Sequence, residues 1–194
     1  MLLPHGMVGK KDKEDIDMAV EIERKFLVRE NWKPKGAGVR IAQGYLSREP
    51  MRTVRVRVKG KKGYLTVKGK NEGIRRAEFE YEVPLADAEA MLALCAPPII
   101  EKRRYIERIE GFRWEIDVFA GENEGLCVAE IELSDENVDF PLPPWAGEEV
   151  SGDARYYNSQ LARVPYRTWS QSQPRYPQSH GFAFERKAQD VEKR

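Results

Sequence analysis

The strongest constraint on this chain is a two-residue alternation of apolar and charged side chains that recurs along most of its length. Val20, Ile22, Phe26 and Val28 alternate with Glu21, Glu23 and Lys25, with Arg24 the one charged residue on the apolar side. Val54, Val56 and Val58 alternate with Arg55, Arg57 and Lys59, and Leu65 and Val67 with Thr66 and Lys68. Further on, Phe79, Tyr81 and Val83 alternate with Glu78, Glu80 and Glu82, and Trp114, Ile116 and Val118 with Arg113, Glu115 and Asp117. Ala129, Ile131 and Leu133 then alternate with Glu130 and Glu132. Successive β side chains point to opposite faces, so each segment predicts a strand with one apolar and one charged face. Segments 39–47 and 99–107 bring the expectation to about eight strands. Turn signals at Gly60-Lys61-Lys62-Gly63 and Glu110-Gly111 make the connections short, which favours antiparallel pairing.

Two helices interrupt the strands. The first is expected from about Leu85 to Cys95, with Met91, Leu92, Leu94 and Cys95 available for burial, before Pro97-Pro98 stops it. The second is expected over Ala154–Arg163, with Asp153 as its N-cap. Residues 1–17 are polar and aperiodic and read as a disordered leader. Residues 170–194 carry the Pro, Gln, Ser and charge bias of a tail, which leaves 18–169 as one domain. No apolar run reaches the ~18 residues that cross a bilayer, and the start lacks a signal-peptide apolar segment; a cytoplasmic protein is expected. Cys95 and Cys127 are too few for a disulfide scaffold and stand in no Cys-x-x-Cys pair.

The 33 Lys and Arg residues almost cancel the 32 Asp and Glu, for a net charge of +1, and this balance argues against a general nucleic-acid binder. The charges are nevertheless sorted by strand. Glu78, Glu80 and Glu82 share a face, as do Arg55, Arg57 and Lys59. Same-face neighbours in a strand lie about 6–7 Å apart. Like charges at that spacing repel by roughly 0.6–0.7 kcal/mol in water, and by several times more when partly buried. A plain solvent face accounts for any one strand; for all of them together, a compensating partner is needed. A closed barrel with the charged faces inward supplies it, because acidic and basic strands then face one another. About eight strands leave an interior wide enough for side chains or one small ligand. Bases there suit a polyanion and carboxylates suit hard divalent cations, which is the electrostatic requirement of phosphoryl transfer.

The motifs resemble those of the CYTH domain of the triphosphate tunnel metalloenzymes, in particular the small bacterial single-domain members. Glu21-Ile22-Glu23-Arg24-Lys25 has the opening Glu-x-Glu-x-Lys form. It is followed in family order by Gln43-Gly44-Tyr45-Leu46, Arg55-x-Arg57, Thr66-Val67-Lys68 and Glu78-x-Glu80-x-Glu82. Lys102-x-Arg104, Trp114-Glu115-Ile116-Asp117, Ala129-Glu130-Ile131-Glu132 and Gly152-Asp153-Ala154-Arg155-Tyr156-Tyr157-Asn158 complete the set, over roughly 18–168.

The resemblance implies a mainly β, α+β fold: an eight-stranded antiparallel β-barrel, or tunnel, with a few flanking helices. It implies hydrolysis of a triphosphate with Mg²⁺ or Mn²⁺. On this chain Glu21, Glu23, Glu130 and Glu132 would hold metal, with Glu80 a weaker candidate. Lys25, Arg55, Arg57, Lys68, Lys102 and Arg104 would grip phosphate oxygens, and Arg155 would reach the tunnel mouth. Lys25 and Arg55 would also serve catalysis, and Asp117 would sit near the metal or attacking water. The expected reaction is attack of metal-activated water on the terminal phosphorus of inorganic triphosphate, giving diphosphate and phosphate. No Gly-x-Ser-x-Gly elbow or Walker loop occurs, and His5 and His180 lie in the terminal segments. A cyclase of the class IV adenylyl type and a non-catalytic polyphosphate-binding module are the alternatives left open, as is a homodimer.

Overall fold

The computed structural model describes residues 20–169. The expected leader and tail, including His5 and His180, lie outside the described residues. Nine strands form one antiparallel system: β1 Val20–Val28, β2 Val39–Glu49, β3 Arg52–Lys59, β4 Lys62–Gly69, β5 Arg75–Val83, β6 Ile100–Ile109, β7 Phe112–Ala120, β8 Cys127–Glu132 and β9 Ala146–Glu149. Their order is β5-β4-β3-β2-β6-β7-β8-β1-β9, and β5 also pairs with β1. That pairing closes β1–β8 into a ring, as the charged faces required. β9 stands outside the ring, against the Phe26–Val28 end of β1. Among the described residues no helix is long and apolar enough to cross a membrane.

Register resolves the like-charge problem. Arg55, Thr66 and Glu80 lie in one cross-strand row, and Lys68 lies opposite Glu78. Between other neighbouring strands, Lys25 lies opposite Glu130, Arg104 opposite Asp117, and Glu21 opposite Arg76, while Glu115 and Glu130, opposite one another, share Arg104. β4 and β6 are therefore set beside acidic strands, and the bases of β3 reach the acids of β5 across Thr66, so charge is neutralised across strands where it could not be along them.

The outward apolar faces are covered in sections. Helix α1, Leu85–Leu94, lies over β2–β4, where Val56, Ala88 and Cys95 are buried together. Gly63 allows this approach, since a Cβ there would lie 2.5 Å from that of Ala88. Leu94, expected in the core, is 76% exposed, because α1 packs through Ala88 and the sides of Met91 and Leu92. On β1, β7 and β8 the cover is Trp145, Phe140 and Trp32, which pack around Phe26, Trp114 and Ile131.

The expected second helix does not form as one piece. Ala154–Tyr156 is a 3₁₀ turn, Tyr157 is extended (φ −71°, ψ 134°), and a single α-turn, α2, follows at Asn158–Leu161. Asp153 caps as expected, its carboxylate accepting from the Arg155 N–H at 3.0 Å, but it caps the 3₁₀ turn. The break lets Tyr156, Leu161, Ala162 and Tyr166 reach Tyr45, Ile100, Phe119 and Val128. Tyr45 shares the face of Arg55, and Phe119 that of Lys102, so this cluster seals part of one end of the tunnel.

Candidate active site

The barrel interior contains a cavity of about 370 Å³ lined almost wholly by charge. Lys25, Arg55, Arg57, Lys68, Lys102 and Arg104 line it, as do Glu21, Glu23, Glu80, Glu130 and Glu132. All stand at the alternate strand positions that the period-two pattern assigns to the inner face. Two expected members are elsewhere. Asp117 is 1% exposed and does not line the cavity; it accepts from Lys102 Nζ at 2.5 Å and from Arg104 Nε at 2.7 Å. It is therefore paired with two bases of the wall and stands behind them. Arg155 is on the outside, held by Asp153 and stacked over Tyr156 and Trp169, so it does not reach the mouth.

Further residues line the cavity that had not been assigned to it: Lys59, Arg76, Glu78, Arg113, Glu115 and Asn158. Arg76 was legible by carrying the Glu78-x-Glu80 alternation two residues back. It pairs with Glu21 at 2.8 Å and Glu23 at 3.0 Å. Glu78 pairs with Lys68 and Arg55 while also facing the cavity. Asn158 accepts from Lys102 Nζ at 3.4 Å. The strand alternation cannot mark it, because Asn158 opens α2.

The electrostatics are those of a site prepared for ions of both signs. Lys25 pairs with Glu23 and Glu130, each at 2.7 Å. Burial alone would lower the Lys25 amine, but the two carboxylates outweigh it and raise it above the ordinary lysine value. Burial alone would raise Glu130, yet Lys25, Arg104 and Lys102 hold it well below the ordinary carboxylate range. Lys102 is pushed down to about 8, chiefly by burial and against the pull of Asp117. Arg57 is lowered by burial and by Arg55 beside it. The Nε atoms of Arg55 and Arg57 are buried without a hydrogen-bond partner. A buried, unsatisfied guanidinium donor is costly, and both guanidinium groups belong to the cavity wall.

The carboxylates fit a divalent cation by their chemistry. The lining has oxygen donors and no thiolate or imidazole, which is the donor set of Mg²⁺ and Mn²⁺. Among the described residues no three acidic, histidine or cysteine side chains converge to hold a metal ion; Glu21, Glu23, Glu80 and Glu130 are each drawn toward a base. A polyanion that engages those bases would release the carboxylates for cations.

A closed antiparallel barrel with this interior defines a tunnel protein for a polyanion and its cations. The chain belongs to the CYTH family, whose domain model matches residues 19–159. It is 51% identical over 156 residues to an inorganic triphosphatase of Acetivibrio thermocellus, covering 79% of this chain and all of that one. It is 36% identical over 147 residues to an inorganic triphosphatase of Nitrosomonas europaea, covering 73% of this chain and 96% of the relative. The crystal structure of the inorganic triphosphatase NE1496 is similar, with a TM-score of 0.55, 35% identity, and coverage of 73% of this chain and 93% of that one.

Proposed function

We propose that this protein is a metal-dependent inorganic triphosphatase, cleaving tripolyphosphate to diphosphate and phosphate with Mg²⁺ or Mn²⁺ inside its barrel. The observation that carries the reading is the cavity itself: buried guanidinium donors without partners stand within the same wall as carboxylates held ionised by neighbouring bases. The relatives' activity and a wall without Ser, Thr, Cys or His point the same way.

Arg55 and Arg57 engage phosphate oxygens in bidentate fashion, while Lys25, Lys68 and Lys102 contribute point charges. Arg104 is held in place by Asp117 and Glu130, so its guanidinium is fixed before substrate arrives. Asp117 is a positioning residue: by pairing with both Lys102 and Arg104 it sets where two positive charges stand as negative charge develops on the leaving diphosphate. A divalent cation held by Glu21, Glu23, Glu130 and Glu132, with Glu80, would supply charge neutralisation and a more acidic water.

The test is phosphate release from tripolyphosphate, ATP, GTP and thiamine triphosphate with Mg²⁺ or Mn²⁺, with and without chelator. Tripolyphosphate is expected to be the preferred substrate and chelator to stop turnover. Glu130→Gln combined with Glu132→Gln removes activity and leaves the circular-dichroism spectrum intact. Equal, metal-independent release from every substrate would sink the reading, and cyclic AMP in the ATP products would replace it with the cyclase.

A further inference from the structure

The interior has a second cavity of about 300 Å³ on the side of α2, and its charge balance differs from that of the first. Its bases are Lys25, Arg48, Arg55, Lys68, Lys70 and Arg76, whereas its one carboxylate is Glu23. Glu23 is already paired with Lys25 and Arg76. The acidic partners of Arg55 and Lys68, namely Glu21, Glu78 and Glu80, line only the first cavity. Among the described residues neither Arg48 nor Lys70 has a carboxylate partner; Arg48 donates to the carbonyls of Ala96 and Pro97. The Nε atoms of Arg48 and Arg55 are buried without a hydrogen-bond partner. Neutral hydrogen-bonding groups complete the wall, among them Thr53, Asn71, Tyr157, Ser159 and Gln160.

The two cavities share Glu23, Lys25, Arg55, Lys68, Arg76 and Asn158. These side chains form a partition of ion-paired groups, with a cation-competent chamber on one side and an almost purely basic one on the other. A phosphate in the first chamber has carboxylates beside it to hold its cations. In the second chamber a phosphate has bases alone to neutralise it, and a concave basic wall concentrates anions.

We propose that the second chamber is a binding site for an inorganic phosphate anion stripped of its divalent cation, and that products of the triphosphatase reaction occupy it on leaving the tunnel. This rests on the proposed function for the identity of the products, though not for the anion site itself. Passage across the partition exchanges Lys25, Arg55, Lys68 and Arg76 contacts on one side for contacts on the other, so the anion stays neutralised, and the glutamates that would hold a cation are left in the first chamber.

The test is calorimetric titration of the full chain with orthophosphate and, separately, diphosphate, both in chelator. Lys70→Glu, at an exposed position that does not endanger folding, is compared with Arg57→Ala in the first chamber. Arg48→Glu with Lys70→Glu gives a second variant. Wild type is expected to bind one or both anions without metal. Lys70→Glu weakens that binding at least threefold and the double variant at least tenfold, while Arg57→Ala changes it less than threefold. The two anion arms decide which product the chamber takes. Product-inhibition constants for the same anion are expected to rise in step. Metal-free binding that is absent, unchanged in both charge-reversal variants, or lost only in Arg57→Ala overturns the proposal. Chelator-resistant anion binding in a chain without triphosphatase activity overturns the proposed function alone.

Discussion

Asp117 and Lys102 show how much one buried charge depends on its neighbours. Both are 1% exposed, and Arg104 shares the same carboxylate. Removing one member of such a group leaves the others charged and uncompensated, so Asp117→Ala is expected to cost about 3–5 kcal/mol in urea unfolding. A loss below about 1 kcal/mol would mean that solvent or another side chain replaces the carboxylate. Lys102 also carries a pH signature. Its amine is pushed down to about 8 by burial, against an ordinary value of 10.5. An anion prefers the ammonium form, so metal-free tripolyphosphate affinity holds below pH 8 and falls above it, toward tenfold per pH unit from this group. Stability has the opposite sign: between 8 and 10.5 the unfolded chain keeps a proton that the folded one has released, so this lysine's contribution rises with pH. Lys102→Arg keeps its charge and is expected to flatten the affinity profile in calorimetry from pH 7 to 9.5; an unchanged slope would assign the titration elsewhere. The alternation placed Asp117 on the inner face correctly. Its depth was not legible, because that depends on Phe119 and the cluster that closes the end behind it.

At the scale of elements, the regular ones were readable and the irregular ones were not. β1, β3, β4, β5, β7 and β8 follow from local alternation, and β2 and β6 were expected beside them, whereas Ala146-Gly147-Glu148-Glu149 has no such pattern and becomes β9 because β1 offers it an edge. The gap where β1 leaves β5 and meets β9 is bridged by side chains. The Lys25 N–H donates to Ser151 Oγ at 2.9 Å, Ser151 donates to Glu149 at 2.6 Å, and Arg24 holds Glu149. Ser151→Ala leaves a buried N–H without a partner, for an expected loss of about 1–3 kcal/mol, and Ser151→Thr should recover most of it. Equal unfolding midpoints for the alanine and threonine variants would refute the bridge. α1 gives a complementary case. Gly63→Ala places a methyl 2.5 Å from Ala88 Cβ and 3.0 Å from the Val83 carbonyl. The expected cost is about 1–3 kcal/mol of overpacking. Because α1 lies on the outer face, kcat/KM for tripolyphosphate should stay within threefold of wild type. A proportionate loss of activity in the folded variant would show that α1 helps shape the interior. The broken second helix was illegible for a related reason: the extended Tyr157 serves tertiary contacts, its hydroxyl donating to the Ser151 carbonyl, and helix propensity does not register that demand.

For the molecule as a whole, closure and function meet at one seam. β6 and β7 share nine register pairs, whereas β1 and β5 share only Val20 with Ala77, Glu21 with Arg76, and Ile22 with Arg75. The ring is therefore thinnest where its ends join, and few backbone hydrogen bonds hold the join. Ion pairs reinforce it from within: Arg76 on β5 reaches Glu21 and Glu23 on β1, and Lys68 on β4 reaches Glu21. The groups proposed to bind substrate and cation are thus the ones that tie the barrel shut. Sub-global opening follows the weakest cooperative unit, so hydrogen exchange in the ligand-free chain is expected to be fastest among the ring strands at 20–22 and 75–77. Tripolyphosphate with Mg²⁺ adds contacts on both sides of the join and should slow exchange there by more than at the β6–β7 hairpin, as binding to the closed state alone requires. Arg76→Ala should speed exchange at both strands without ligand and blunt the protection that ligand confers. Uniform protection around the ring, or protection unchanged in Arg76→Ala, would separate closure from binding and leave the seam a purely structural join.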